Sequence, residues 1–101
     1  MATIFVLFNL RPGVTASVYE QWARTTDLPI VNSLPSVQSF EVLKTTGLLG
    51  GGNAPYQYVE LLRFGSLDAL FTAIGSDTMQ RVSAEFQAFA DNPIFITTDA
   101  L

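Results

Sequence analysis

VQSFEVLKTT at residues 37–46 and YQYVELLRF at residues 56–64 are the stretches that decide the fold. Both are rich in β-branched and aromatic residues, and GLLGGGNAP at residues 47–55 separates them. Apolar runs of this length that are bounded by turn residues are typical of strands. Two such strands on either side of a glycine-rich loop favour an antiparallel hairpin at the centre of the chain.

The segment before the hairpin is predicted to be a strand followed by a helix. TIFVLFNL at residues 3–10 is a short apolar run, which indicates a strand buried on both faces. Thr15 can cap a helix that runs to about Thr26. Leu28 precedes Pro29, and a residue before proline is biased away from helical conformation, so a break or kink is expected there before another helical turn.

The segment after the hairpin is predicted to be a helix in two parts and a last strand. Ser66 caps the first part, which ends at Gly75. Ser76 or Asp77 caps the second part. Asp91-Asn92-Pro93 is expected to stop this helix in a turn before IFITT, the last strand.

The order β-α-β-β-α-β predicts a single ferredoxin-like domain over residues 1–101, an α+β sandwich with an antiparallel sheet and helices on one face. On the third strand, alternation puts Tyr58 and Glu60 on one face and Val59 and Leu61 on the other, so neither face is plainly polar. Apolar residues make up 49% of the chain and charged residues only 14%, which leaves little surface for solvation. We therefore expect two sheets to meet face to face in a homodimeric α/β barrel.

The composition excludes several classes of function. The chain has no Cys and no His, so Ser-His and Cys-His catalysis and zinc or haem sites with imidazole or thiolate ligands are excluded, and no metal is expected. The net charge is −4 and the five basic residues are scattered, so no nucleic-acid partner is expected. No apolar run approaches the roughly 20 residues of a membrane span, and the N-terminal run indicates a strand and not a signal peptide, so we expect a cytoplasmic protein without membrane contact.

Polar and amphipathic residues near the first helix and the central strands are candidates for a site. They are Tyr19, Trp22, Asp27, Asn32, Tyr56, Tyr58 and Glu60. Tyr58 and Glu60 lie two residues apart on one strand and therefore point to the same face. A carboxyl group on an apolar surface has a raised pKa and can exchange a proton near neutral pH. Alternatively, Glu60 pairs with a basic residue such as Arg63 or faces solvent.

Asp27 and the first-helix aromatic residues each have two interpretations. A carboxylate at the end of a helix is disfavoured by the helix dipole, so Asp27 either caps the following helical turn or has a catalytic role. Trp22 and Tyr19 either fill the core or contact a substrate. The glycine-rich loop, residues 47–55, lacks the Lys-Ser/Thr ending of a phosphate-binding P-loop, and it is either a plain hairpin loop or a lid.

Six motifs span nearly the whole chain. They are Tyr19-x-x-Trp22-Ala23-Arg24-x-Thr26-Asp27-Leu28-Pro29, Leu34-Pro35-Ser36, Phe40-Glu41-Val42, Thr46-Gly47-Leu48-Leu49, Ala54-Pro55-Tyr56-x-Tyr58-x-Glu60 and Met79-Gln80-x-Val82-x-Ala84-Glu85-Phe86. Together they resemble the RedY-like family, small proteins encoded in prodigiosin-type pigment pathways and related pyrrole or indole alkaloid pathways. The resemblance implies a dimeric ferredoxin-like protein of bacterial secondary metabolism. It also implies help, without a cofactor, in ring closure, condensation or dehydration of a reactive aromatic intermediate.

Ring closure of this kind needs a proton moved, an electrophile polarised and water excluded. For a small aromatic substrate, Glu60 or Asp27 is therefore the expected proton shuttle, and Tyr58 the catalytic hydroxyl that polarises the carbonyl. Four further residues are expected to bind the substrate: Trp22 by stacking, together with Tyr19, Asn32 and Tyr56.

The sequence is also compatible with two other functions. One is a cofactor-independent monooxygenase of the dimeric α/β barrel class, which would oxidise an electron-rich aromatic compound. The other is a carrier that holds an unstable biosynthetic intermediate and does no chemistry. A carrier would tolerate Glu60→Gln and Asp27→Asn, whereas an enzyme that works by acid–base catalysis would not.

Overall fold

The computed structural model describes all 101 residues and contains four strands and four α-helices. In chain order these are β1 (Ala2–Leu10), α1 (Ala16–Trp22), a π-helical turn (Ala23–Asp27), α2 (Leu28–Asn32), β2 (Val37–Lys44), β3 (Tyr58–Phe64), α3 (Leu67–Ile74), α4 (Asp77–Phe89) and β4 (Ala90–Asp99). The strands form one antiparallel sheet in the order β2-β3-β1-β4. The ferredoxin-like α+β fold predicted from the sequence is confirmed. No helix has the length and apolar character needed to cross a membrane.

Hydroxyl groups begin three of the helices, as the sequence predicts. Thr15, Ser66 and Ser76 each accept a hydrogen bond from the backbone N–H three residues later. These bonds satisfy one of the free N–H groups at each helix start. Asp77 is consequently the first residue of α4 and not its cap, and its carboxylate lies in the first turn, where the helix dipole favours negative charge.

The break predicted near Leu28 is replaced by a π-helical turn. The N–H of Leu28 donates to the carbonyl of Ala23, five residues earlier, and α2 begins at once. Pro29 lies in the first turn of α2, where its missing N–H is tolerated. Such π turns are frequent at functional sites. Here the turn ends at Asp27, which is only 3% exposed and makes no capping hydrogen bond, so the capping interpretation of this residue is wrong.

The turn predicted at residues 91–93 is part of a strand instead. β4 starts at Ala90, immediately after α4, and the pairing of β1 with β4 shifts register between Leu7 and Asn9. Asn92 has a φ of +46°, a left-handed conformation that asparagine tolerates better than most residues. Irregularities of this kind allow a proline to be accommodated in a strand, and this explains why the residues of a typical turn lie within β4.

The two faces of the sheet have different surroundings. Residues of β1 that face the helices, such as Val6 and Phe8, are almost completely buried. No helix covers the opposite face, where Leu43, Ile94 and Ile96 are 43%, 41% and 43% exposed. We call this opposite face, with its row of apolar side chains, the bare face.

Candidate functional site

A cavity of about 630 Å³ lies between the helices and the sheet. Its walls come from all four strands, from the π-helical turn and from α2, α3 and α4, and they are mainly apolar. Five polar residues line it: Asp27, Glu60, Ser83, Gln87 and Thr97. A volume of this size fits a small aromatic molecule, and an apolar wall with a few polar groups is the usual composition of a ligand site.

Two carboxyl groups, those of Asp27 and Glu60, face this cavity and are nearly inaccessible to solvent, at 3% and 5% exposure. The π-helical turn positions Asp27, and β3 positions Glu60 between its strand partners Val6 and Val42. Both neighbours are apolar and offer Glu60 no charge. The hydroxyl of Tyr19, on α1, donates to Oε2 of Glu60 over 3.4 Å.

Burial gives the two carboxyl groups unusual proton affinities. The pKa of Glu60 is raised well above its ordinary value by desolvation and by the charge of Asp27, and the hydrogen bond from Tyr19 opposes this only in part. The pKa of Asp27 is raised to about 7 by desolvation and by the charge of Glu85. Asp27 is therefore partly ionised near neutral pH, and its charge is one of the causes that favour the protonated form of Glu60. A proton donor and a proton acceptor thus face one cavity.

Tyr19 remains neutral in this setting. Desolvation, followed by the charges of Glu60 and Asp27, raises the pKa of its phenol. The ring is completely buried and packs edge-on against Phe8 at 5.5 Å between centroids. Tyr19 is therefore a fixed hydrogen-bond donor to Glu60 and not a proton acceptor.

Tyr58 shares the helix-facing side of β3 with Glu60, as alternation predicts, but its hydroxyl does not reach Glu60. It donates instead to Oε2 of Glu20 over 2.6 Å, and Lys44 and Arg24 approach the same carboxylate within 3.1 and 3.3 Å. Tyr58 is not part of the cavity wall. The hydroxyl that contacts Glu60 belongs to Tyr19.

Three further candidates from the sequence lie outside the cavity. The indole N–H of Trp22, on α1, donates to the carboxylate of Glu85, on α4, over 3.0 Å at an exposed position. The side-chain amide of Asn32 exchanges two hydrogen bonds of 3.0 Å with the backbone of Phe40 and so joins α2 to β2. Tyr56 precedes β3 and contributes nothing to the cavity wall. Of the seven candidates, the structure brings together Asp27, Glu60 and, through its hydroxyl, Tyr19.

The sequence reading missed several residues of the wall. Ser83 and Gln87 lie four positions apart on α4, directly after the apolar positions Val82 and Phe86. Their spacing places them on one helical face beside the apolar stripe, and this was the available signal. Phe95, on β4, also lines the cavity, because it pairs with Val6 and shares its face of the sheet. No group of three or more carboxylates is placed to hold a metal ion.

Comparison with known proteins gives one family and many structures of the same fold. The family model described as REDY-like protein HapK matches residues 2–101. HapK from Hahella chejuensis is 25% identical with a TM-score of 0.79, over 100% of this chain and 93% of that one.

Two more distant structures show the shared fold alone. The hydroxynitrile lyase of Passiflora edulis is 11% identical, with a TM-score of 0.84 over 99% of this chain and 93% of that one. A dimeric ferredoxin-like protein of unknown function from Thermobifida fusca is 15% identical, with a TM-score of 0.76 over 98% and 90%. The comparison with curated proteins gives no significant match.

Proposed function

The chain belongs to the REDY-like HapK family, and from this premise we propose that it is a cofactor-free enzyme that assists ring closure or condensation of a pyrrole- or indole-derived intermediate in bacterial secondary metabolism. One observation carries the proposal. Two buried carboxyl groups of different proton affinity, Asp27 and Glu60, face an apolar cavity large enough for a small aromatic molecule.

The proposed chemistry is an addition to a carbonyl followed by loss of water. A nitrogen or an enol carbon of the substrate attacks the carbonyl carbon; Asp27 takes the proton of the nucleophile, and Glu60 gives its proton to the carbonyl oxygen. In the second stage the two groups exchange roles. Asp27, now protonated, gives its proton to the hydroxyl, which leaves as water, and the Glu60 carboxylate removes a proton from the neighbouring atom, so that both groups return to their starting states. Acid–base assistance of this kind contributes about 10²–10⁴ in rate. The apolar walls keep bulk water away from the reacting groups.

Tyr19 supports this chemistry through Glu60. Its hydroxyl donates to the Glu60 carboxyl over 3.4 Å and holds it in position. This role differs from the one predicted for Tyr58, which was to polarise the substrate carbonyl. Tyr58, Trp22, Asn32 and Tyr56 have no direct part in the proposed mechanism, because none of them lines the cavity.

We also propose that the chain works as a homodimer that pairs through the bare face. The third strand presents Val59 and Leu61 to this side, and Leu43, Ile94 and Ile96 add a further apolar area that no helix of the same chain covers. Exposed apolar surface of this extent is typical of an interface. The related fold from Thermobifida fusca is a dimer by its description.

Complementation in the native host tests the enzymatic proposal. The gene is deleted, metabolites are compared by mass spectrometry, and wild type, Glu60→Gln, Asp27→Asn or the control Glu20→Gln is returned. We expect an open-chain precursor to accumulate after deletion. Wild type and Glu20→Gln should restore the cyclised product, whereas the other two variants should lower its formation by roughly 10²-fold or more.

The same experiment separates the enzyme from the carrier. A carrier needs the shape of the cavity and not its proton transfer, so both carboxamide variants would restore the product fully. That result would overturn the acid–base proposal. Accumulation of an aromatic precursor that lacks one oxygen atom of the final product, in place of an open-chain precursor, would instead support the monooxygenase.

Light scattering after size-exclusion chromatography tests the homodimer. Leu61→Lys puts a charge at the centre of the bare face, and we expect it to halve the particle mass from twice the chain mass. Leu49→Lys, in the fully exposed hairpin loop, is the matched control and should stay dimeric. A monomeric wild type, or a dimeric Leu61→Lys, contradicts pairing through this face.

A further inference from the structure

The cavity contains two carboxyl groups and no basic side chain. None of the five basic residues lines the cavity. Arg24 and Lys44 pair with Glu20, and Arg63 pairs with Glu41. Arg11 donates to the backbone carbonyl of Gln87, and Arg81 is exposed on α4. The side chain of Asp27 faces the cavity, is only 3% exposed and has no ion-pair partner. A buried carboxylate without a cationic partner is costly, and a ligand that brings a positive charge removes that cost.

We propose that this cavity binds an aromatic ligand that carries a protonated amine or imine nitrogen, with the nitrogen at Asp27, and that it rejects ligands whose polar end is a carboxylate. The inference deepens the proposed function, on which it rests for the assignment of this cavity as the substrate site. It names the charge of the substrate, a property that the family and the fold leave open.

The apolar part of the ligand has a matching surface. Leu70 and Phe86 form the inner wall, and Leu67, Phe71 and Phe95 line the cavity although they are 56%, 65% and 61% exposed. A flat ring system that enters between α3 and β4 would cover these exposed apolar side chains. Aromatic rings contribute a large buried area and favour stacked or edge-on contacts with such a wall.

The charges around Asp27 disfavour an anion. Glu85 from α4 raises the pKa of Asp27, and the charge of Asp27 raises the pKa of Glu60 on β3. Tyr19 from α1 is a further titratable neighbour. None of these groups is positive. A ligand carboxylate would place a further negative charge in a dry site that already holds two acidic groups, whereas an ammonium would form a charge-assisted hydrogen bond.

Isothermal titration calorimetry with three indoles tests the proposal. Tryptamine, tryptophol and indole-3-propionate share the ring and a short chain, and end in an ammonium, a hydroxyl and a carboxylate. At about pH 8, where Asp27 is ionised, we expect tryptamine to bind about tenfold more tightly than tryptophol, and indole-3-propionate to bind more weakly than either. Lowering the pH to about 6 should reduce the tryptamine affinity by about tenfold, because Asp27 becomes protonated.

Two variants locate the effect. Asp27→Asn should bring the affinity for tryptamine down to that for tryptophol and leave tryptophol within about twofold. Glu85→Gln removes a nearby exposed charge, and its side-chain oxygen can still accept the bond from Trp22, so it should keep most of the preference. Four results overturn the proposal: equal binding of tryptamine and tryptophol by the wild type, equal or tighter binding of indole-3-propionate, a preference that survives Asp27→Asn, or no binding of any of the three probes.

These outcomes differ from a failure of the proposed function. Calorimetry reports charge preference without turnover, so a carrier would show the same preference for tryptamine. Conversely, an enzyme with neutral substrates would lose product formation in Asp27→Asn but would bind tryptamine and tryptophol equally.

Discussion

Two tyrosine–glutamate pairs connect the same two elements, α1 and β3, and differ in almost every electrostatic respect. Tyr19 of α1 contacts Glu60 of β3 over 3.4 Å, and Tyr58 of β3 contacts Glu20 of α1 over 2.6 Å. The four residues are neighbours in the fold, since the two phenol rings are 4.8 Å apart. The pKa of Glu60 is raised, whereas that of Glu20 is lowered.

The surroundings of each carboxylate explain the difference. Glu20 accepts hydrogen bonds from Tyr58 and Lys44, and the charges of Lys44 and Arg24 also favour its ionised form. Glu60 has one long hydrogen bond, apolar strand partners and the carboxyl group of Asp27 nearby. The same two residue types therefore form an ion-paired contact around Glu20 and a contact around Glu60 that favours the protonated carboxyl group. A tyrosine–glutamate contact alone therefore does not indicate a candidate site. The two contacts differ because Arg24 and Lys44 lie beside Glu20, whereas no cation pairs with Glu60.

The largest effect that separates the two pairs should be the pH dependence of stability. The folded chain keeps the proton of Asp27 up to about pH 7, whereas the unfolded chain releases it near pH 4. The contribution of Asp27 to stability is therefore greatest below about pH 4 and is lost as the pH rises towards 7, and Glu60 acts in the same direction. Between about pH 5 and pH 8, the free energy of unfolding should fall by about 2–3 kcal/mol more in wild type than in Asp27→Asn. Urea denaturation at both pH values measures this.

Glu20→Gln is the control with the opposite sign. The folded-state pKa of Glu20 is lowered, so its contribution is present above the pKa of the unfolded chain and is lost as the pH falls through the folded value. The variant should therefore be less stable than wild type at neutral pH, where Asp27→Asn should be more stable. Equal pH slopes for wild type and Asp27→Asn would show that Asp27 is ionised in the folded chain as easily as in solution.

The fold was predictable because its signals are local. Strand and helix order follow from apolar runs, from the glycine-rich loop and from Thr15, Ser66 and Ser76 as caps. The errors occur where tertiary packing overrides a local rule. The π-helical turn before Pro29 keeps the helix continuous, and the register shift near Asn92 turns an apparent loop into the start of β4.

The candidate site was predictable only in part, and for a geometric reason. Alternation correctly puts Tyr58 and Glu60 on one face, but it does not show that the phenol extends towards α1 while the carboxyl faces the cavity. The contact of Tyr19 with Glu60 joins residues 41 positions apart, and no spacing rule predicts it. The burial of Asp27 likewise depends on a π-helical turn, which no sequence pattern predicts. The sequence identified which residue types could form the site, whereas their hydrogen-bond partners became known only from the three-dimensional structure.

A smaller effect should separate the two phenols. Tyr58→Phe removes a short hydrogen bond to an ionised carboxylate, and we expect the free energy of unfolding at neutral pH to fall by about 1–2 kcal/mol. Tyr19→Phe removes a long bond to a carboxyl group that holds its own proton, and the fall should be less than about 1 kcal/mol. Both rings are buried, at 0% and 2% exposure, so loss of packing is the same in the two variants and cancels in the comparison.

The two substitutions should affect the pKa of Glu60 in the reverse order, with the larger change in Tyr19→Phe. Tyr19→Phe removes the one hydrogen bond that lowers the pKa of Glu60, so this carboxyl group should hold its proton to still higher pH, which NMR titration of the labelled side chain measures. Tyr58→Phe should leave that titration unchanged, because its partner is Glu20. If Tyr58→Phe instead moves the titration of Glu60 as far as Tyr19→Phe does, the two pairs form one coupled network. The proposed contrast between the ion-paired carboxylate of Glu20 and the carboxyl group of Glu60 would then be wrong.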